Sequence, residues 1–143
     1  MLDGVIDIYM PDMKYGDSDT ARKYSRAPNY TKVNQTAVKE TYRQVGDLVL
    51  DEKGLAQRGL LIRHLVLPGN LAGSEKVLAF IANEISPNTY LNLMDQYRPC
   101  YRADDYPPLD RLITAEEFSS VLAMANRYGL RRLDQPPRVT RRV

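Results

Sequence analysis

The sequence predicts an α/β fold of parallel strands with outer helices, and three observations carry that prediction. Residues 60–67 (LLIRHLVL) are almost unbroken in apolar character, the pattern of a strand covered on both faces. Segments of helical periodicity fall between the strand-like segments, so the two kinds of element alternate along the chain. The 143 residues, 43% hydrophobic and 27% charged, suffice for one packed core and exclude wholesale disorder.

The first strand is expected over Gly4–Met10 (GVIDIYM), β-branched and aromatic, with Pro11 marking its end. Asp17–Ser25 reads as a short helix with acidic residues in its first turn and basic ones later, as the helix dipole prefers. Over residues 34–46 a second helix is expected. Asn34 stands at its cap position, Ala37, Val38, Tyr42 and Val45 form its apolar stripe, and Gly46 supplies its stop. The strand at 60–67 ends at Pro68-Gly69-Asn70. Ser74 then reads as the cap of a helix running to about Ile85, with Val77, Leu78, Ile81, Ala82 and Ile85 toward the core. Thr89–Met94 is the next strand. Thr114 and Glu117 have capping-box spacing ahead of a last helix, which runs to Tyr128 and stops at Gly129. Three strands make a small sheet whose outer members would expose apolar edges, a pattern that favours docking or self-association.

No apolar run reaches the roughly 18 residues of a spanning helix, and no signal peptide is recognisable, so a cytoplasmic location is the default expectation. The net charge of +2 is unevenly placed: residues 131–143 hold five arginines against Asp134 alone. Residues 134–143 read as a basic tail following a body over 1–133, and a solvated terminus is a better reading of it than a nucleic-acid contact. Cys100, the single cysteine, can neither form an internal disulfide nor supply the thiolates of a metal centre by itself. Dinucleotide, P-loop, nucleophile-elbow and HExxH motifs are lacking, so no metal or catalytic residue is assigned.

Ligands of parallel α/β sheets bind where strands run out into loops, and three polar sets fall at such places. Asp12, Lys14 and Asp17 follow the first strand. Asp12 and Lys14, two apart, would offer an acceptor and a cation to a zwitterionic ligand, unless the three charges merely satisfy one another in a surface turn. Arg63 and His64 lie inside the apolar strand on opposite faces. An unpaired arginine there is too costly, so Arg63 should meet a carboxylate, either Asp12 or a ligand. The only histidine, His64, reads first as a hydrogen-bonded structural residue and only second as an acid or base. The third set, Asn92, Asp95, Gln96, Tyr97 and Arg98, reads either as the wall of a polar pocket or as an ordinary polar loop.

Taken together, DGVIDIYMPDMKYGD (3–17), GLLIRHLVLPG (59–69) and ISPNTYLNLMDQYRP (85–99) resemble the later part of radical S-adenosylmethionine proteins related to the pyruvate formate-lyase activating enzyme. The similarity is closer to a branch known only as activating proteins, and it extends over residues 3–133. It implies the C-terminal portion of a partial (β/α)6 TIM-like barrel. It also implies S-adenosylmethionine and a [4Fe-4S] cluster as cofactors of the complete protein. By resemblance Asp12, Lys14 and Arg63 approach the methionine end of the cofactor, and Asp12 also helps to hold a monovalent cation. Tyr97 stands where the activating enzymes place a cofactor-holding histidine. Asp17, Asn92, Asp95, Gln96 and Arg98 are the candidate substrate contacts. The cluster-binding CxxxCxxC belongs to the first half of such proteins, so this chain alone is expected to lack the cluster and its catalysis. A second chain carrying an N-terminal half-barrel, or another copy of this chain, is the expected partner. The competing expectations are a ligand-binding or interaction module derived from the fold, and a cluster-free acid–base enzyme using His64, Asp95 or Asp12.

Overall fold

The structure, a computed structural model, describes residues 2–134, so residues 135–143 of the predicted basic tail lie outside the described residues. It is α/β, with a parallel sheet flanked by helices. In chain order the elements are β1 (Ile8–Tyr9), α1 (Ser18–Ser25), α2 (Tyr30–Val45), β2 (Val49–Leu50), β3 (Ala56–Leu65), α3 (Ser74–Phe80), β4 (Tyr90–Met94) and α4 (Ala115–Arg127).

The long strand β3 is the centre of the sheet. On one side β1 runs parallel to it, with Ile8 opposite Gly59 and Tyr9 opposite Leu60. On the other side β4 runs parallel, pairing Tyr90–Met94 with Leu61–Leu65. The first residues of β3 pair instead with antiparallel β2. Beyond β4, Leu133 bridges to Leu91, so the segment after α4 closes that edge.

Several boundaries differ from those read in the sequence. The first strand is shorter, because Gly4 adopts φ +77° in a turn and the Val5 N–H donates to Leu2 O. The strand predicted over 60–67 starts at Ala56 and ends at Leu65, its early part held by a hairpin with β2 that no alternation announces. Gly59 in that part has φ +120°, and a Cβ there would lie 2.4 Å from Asp47 O and 2.5 Å from Leu48 Cα. Only glycine lets the approach to β2 lie this close against β3. Helix α2 begins at Tyr30, which places Asn34 inside it rather than at its cap. Gly73, not Ser74, precedes α3. That helix continues through a π turn at Ile81–Ile85, closed by the Ser86 N–H to Ile81 O at 2.9 Å, so the predicted end near Ile85 holds. The capping box of Thr114 and Glu117 forms as read.

The larger core lies on one face of the sheet, and a smaller buried cluster of Tyr15, Ala21, Leu67 and Ala72 packs with Leu65. Leu60 and Ile62 of β3 and Leu91 and Leu93 of β4 pack with Val38 and Val45 of α2, Val77 and Leu78 of α3, and Val121 and Ala125 of α4. Each of these valine, leucine and isoleucine side chains contributes about 1.5–3 kcal/mol by leaving water. The opposite face is only half covered: Leu61, Arg63, Leu65, Tyr90, Asn92 and Met94 keep intermediate exposure, while Ile8 and Met10 of the β1 segment are exposed.

Candidate functional site

Parallel pairing places partners side by side on the same face of a sheet. The ladder continues past β1 through a bridge from Asp12 to Arg63, and β4 sets Asn92 opposite Arg63. Asp12, Arg63 and Asn92 therefore form one polar row across the segment after β1, β3 and β4, on the half-covered face. Backbone bonds hold the row in register: Arg63 N–H donates to Pro11 O, and Met13 N–H donates to Arg63 O.

Within the row, Arg63 Nε donates to Asp12 Oδ1 at 2.7 Å, and Lys14 Nζ lies 3.0 Å from Asp12 Oδ2. Arg63 thus has the carboxylate partner that its place in an apolar strand demanded. Partial burial works to raise the Asp12 carboxyl, but the hydrogen bonds from Lys14 and Arg63 outweigh it and hold the group below the usual carboxylate range. Asp12 is consequently an anion at neutral pH between two cations. Helix α2 fixes the loop from behind: Asn34 Nδ2 donates to Asp12 O at 2.9 Å, and the Lys14 N–H donates to the Tyr30 hydroxyl at 2.8 Å. One carboxylate, two cations and an amide on a half-open face suit a ligand carrying both an ammonium and a carboxylate.

His64 points the other way and is fully buried. Its Nδ1 lies 2.6 Å from Met13 O and its Nε2 lies 2.8 Å from Ser74 Oγ. A carbonyl only accepts, so Nδ1 carries the proton and Nε2 accepts from the serine hydroxyl. Burial lowers the pKa of His64, opposed only by the bond to Met13, and the ring stays neutral. Both nitrogens are occupied inside the protein, which is the structural role favoured from sequence.

Asp17, grouped with Asp12 and Lys14 in the sequence, does not join them. Its Oδ2 accepts from the Thr20 N–H and the Thr20 hydroxyl, both at 2.9 Å, and so caps α1. The set following β4 also divides. Asn92 belongs to the row, Asp95, Gln96 and Arg98 are exposed beyond the strand, and the Tyr97 hydroxyl donates to Leu109 O at 2.7 Å. Burial pushes the Tyr97 hydroxyl up, so it remains a protonated donor. Three contributors escaped sequence reading. Tyr30 and Asn34 act through a helix whose start was misplaced. Ser74 reads in sequence as a cap, and its bond to His64 follows only from the packing of strand β3 against helix α3.

No family model and no solved structure matches the chain. An uncharacterized protein of Methanocaldococcus jannaschii is 34% identical over 131 residues, which cover 91% of this chain and 34% of the relative. The chain thus spans about a third of the length of the curated relative it matches. Among the described residues no helix is long and apolar enough to cross a membrane.

Proposed function

We propose that this chain is the C-terminal part of a radical S-adenosylmethionine protein of the activating-enzyme type, its sheet being the later portion of a partial (β/α)6 barrel. The observation that carries the reading is the Asp12 carboxylate bracketed by Arg63 and Lys14 where parallel strands run out into their loops. Lys14 and Arg63 would receive the carboxylate of the cofactor's amino-acid end, and Asp12 would receive its ammonium. Asn92, beside Arg63, would orient that end by its amide.

The donor set of this chain does not fit the cluster. Cys100 is a single exposed thiol, and no group of three His, Cys, Asp or Glu side chains among the described residues could hold a metal ion. Reductive cleavage is therefore assigned no step here. The thiolates would come from an N-terminal half-barrel chain, a reading supported by the matched residues making up only 34% of the relative and by the exposed Ile8 and Met10 beside β1. A ligand-binding module would keep the same row without cleavage. The acid–base reading loses its histidine, since both nitrogens of His64 are occupied.

Titration calorimetry with S-adenosylmethionine, S-adenosylhomocysteine and methionine tests the row. All three share the amino-acid end and should bind, with Arg63→Gln and Asp12→Asn each weakening binding at least about tenfold, the loss of roughly one charged hydrogen bond. Absence of binding at millimolar ligand, or binding indifferent to both substitutions, would sink the assignment. Cleavage after anaerobic reconstitution only when an N-terminal half is added separates the radical enzyme from the module.

A further inference from the structure

Five of the chain's ten tyrosines, Tyr15, Tyr24, Tyr97, Tyr101 and Tyr106 among them, line one cleft of about 530 Å³ between the end of α1 and the loop after β4. This volume is within the ordinary range of small-molecule sites. Tyr15 belongs to a small buried cluster against which Tyr24 and Tyr97 pack, so core packing accounts for three of the five but not for Tyr101 and Tyr106. Tyr101 is 96% exposed and Tyr106 39% exposed, so two large rings are left to water at the rim. Tyr101 also holds φ +55°, a left-handed conformation uncommon for a bulky residue.

The rings are arranged rather than merely collected. Tyr24 and Tyr106 meet edge to face, with centroids 5.9 Å apart. The Tyr15 hydroxyl is bound to Ser25 Oγ at 2.7 Å and that of Tyr97 to Leu109 O, which fixes both rings at the cleft wall. Three cations line the cleft, of which Arg102 is paired with Asp105 at 2.7 Å. Lys23 and Arg26 line the same cleft, and among the described residues neither has a carboxylate within ion-pairing distance. Lys23 lies instead 5.0 Å from the centroid of the Tyr24 ring. Fixed aromatic faces beside uncompensated cations are the means by which proteins hold a flat ring carrying negative charge.

We infer that this cleft is a binding site for a planar ring bearing an anionic group, of the mononucleotide class, with the base against Tyr24 and Tyr106 and the phosphate toward Lys23 and Arg26. The inference does not rest on the Asp12 row. Tyr97 alone is common to both readings, and the variants below leave it intact.

The test is a titration of the full chain with adenosine 5′-monophosphate, adenosine and inorganic phosphate, followed by amide NMR shifts and calorimetry. The monophosphate should bind at least about tenfold more tightly than either fragment, with shifts centred on Tyr24, Arg26, Tyr101 and Tyr106. Lys23→Gln with Arg26→Gln should remove most of its advantage over adenosine, and Tyr106→Leu should weaken adenosine as well. Unchanged amide spectra away from the substituted positions would verify that these surface variants fold. Monophosphate binding no tighter than phosphate, shifts centred elsewhere, or an acidic peptide displacing the nucleotide at lower concentration would each overturn the assignment.

Discussion

Along β3, the residues Leu60, Ile62 and His64 turn toward the helices and lose nearly all contact with water, whereas Leu61, Arg63 and Leu65 keep part of theirs. The contrast is sharpest between neighbours. His64 is satisfied entirely by protein, by a carbonyl on one side and a hydroxyl on the other, and burial keeps it neutral. Arg63, one residue earlier, stays charged beside Asp12 with its side chain 36% exposed. A polar group on the closed face must be matched inside the fold, while one on the half-open face can hold a charge available to a ligand.

Substitutions can test how different the two faces are. The largest effect is expected at Ile62→Ala, which removes a fully buried side chain and should cost about 2–5 kcal/mol in urea denaturation. Leu61→Ala should cost clearly less, and equal losses would mean that the second face is as closed as the first. His64→Leu should have an effect comparable in size to that of Ile62→Ala. It strands the Met13 carbonyl and the Ser74 hydroxyl in the core, at about 1–3 kcal/mol for each.

The wild-type protein should also show a pH signature that this variant lacks. The folded pKa of His64 lies below its ordinary 6.5, so the unfolded state binds more protons as the solution acidifies. The stability it contributes is complete above about pH 6.5 and is lost as pH falls below that value, by up to ~1.4 kcal/mol per pH unit. A flat profile between pH 7 and pH 5, compared with His64→Leu by thermal melting, would show that the ring is not held neutral. Thr114→Ala should cost about 1 kcal/mol through loss of the α4 cap. Arg63→Gln should change stability least, by about 0–1 kcal/mol, since its ion pair is partly in water. A large loss there would make Arg63 a structural residue of the closed kind.

Those parts of the fold written in local chemistry were legible in the sequence. The Thr114–Glu117 box, the Gly46 stop and the apolar run of β3 each depend on a few adjacent residues. The carboxylate demand of Arg63 was legible as well, because it follows from the cost of burying a lone charge. Strand register was not, since crossovers through helices set it. Nothing near Asn92 says that it will stand beside Arg63 rather than join Asp95 and Gln96. The β2–β3 hairpin was missed because Ala56, Gln57 and Arg58 are exposed and carry no alternation. Asp17 was misgrouped although the signal existed: an aspartate three residues before Thr20 at a helix start is a cap first and a ligand second.

Gly59 carries a consequence for how this sequence can drift. Between Asp47 and β1, it occupies a point where no side chain has room, and its backbone angle disfavours every other residue. In a saturation library selected for folding, position 59 should tolerate glycine alone while 56–58 accept most replacements, so the least variable site of the hairpin would be the one with no side chain to select.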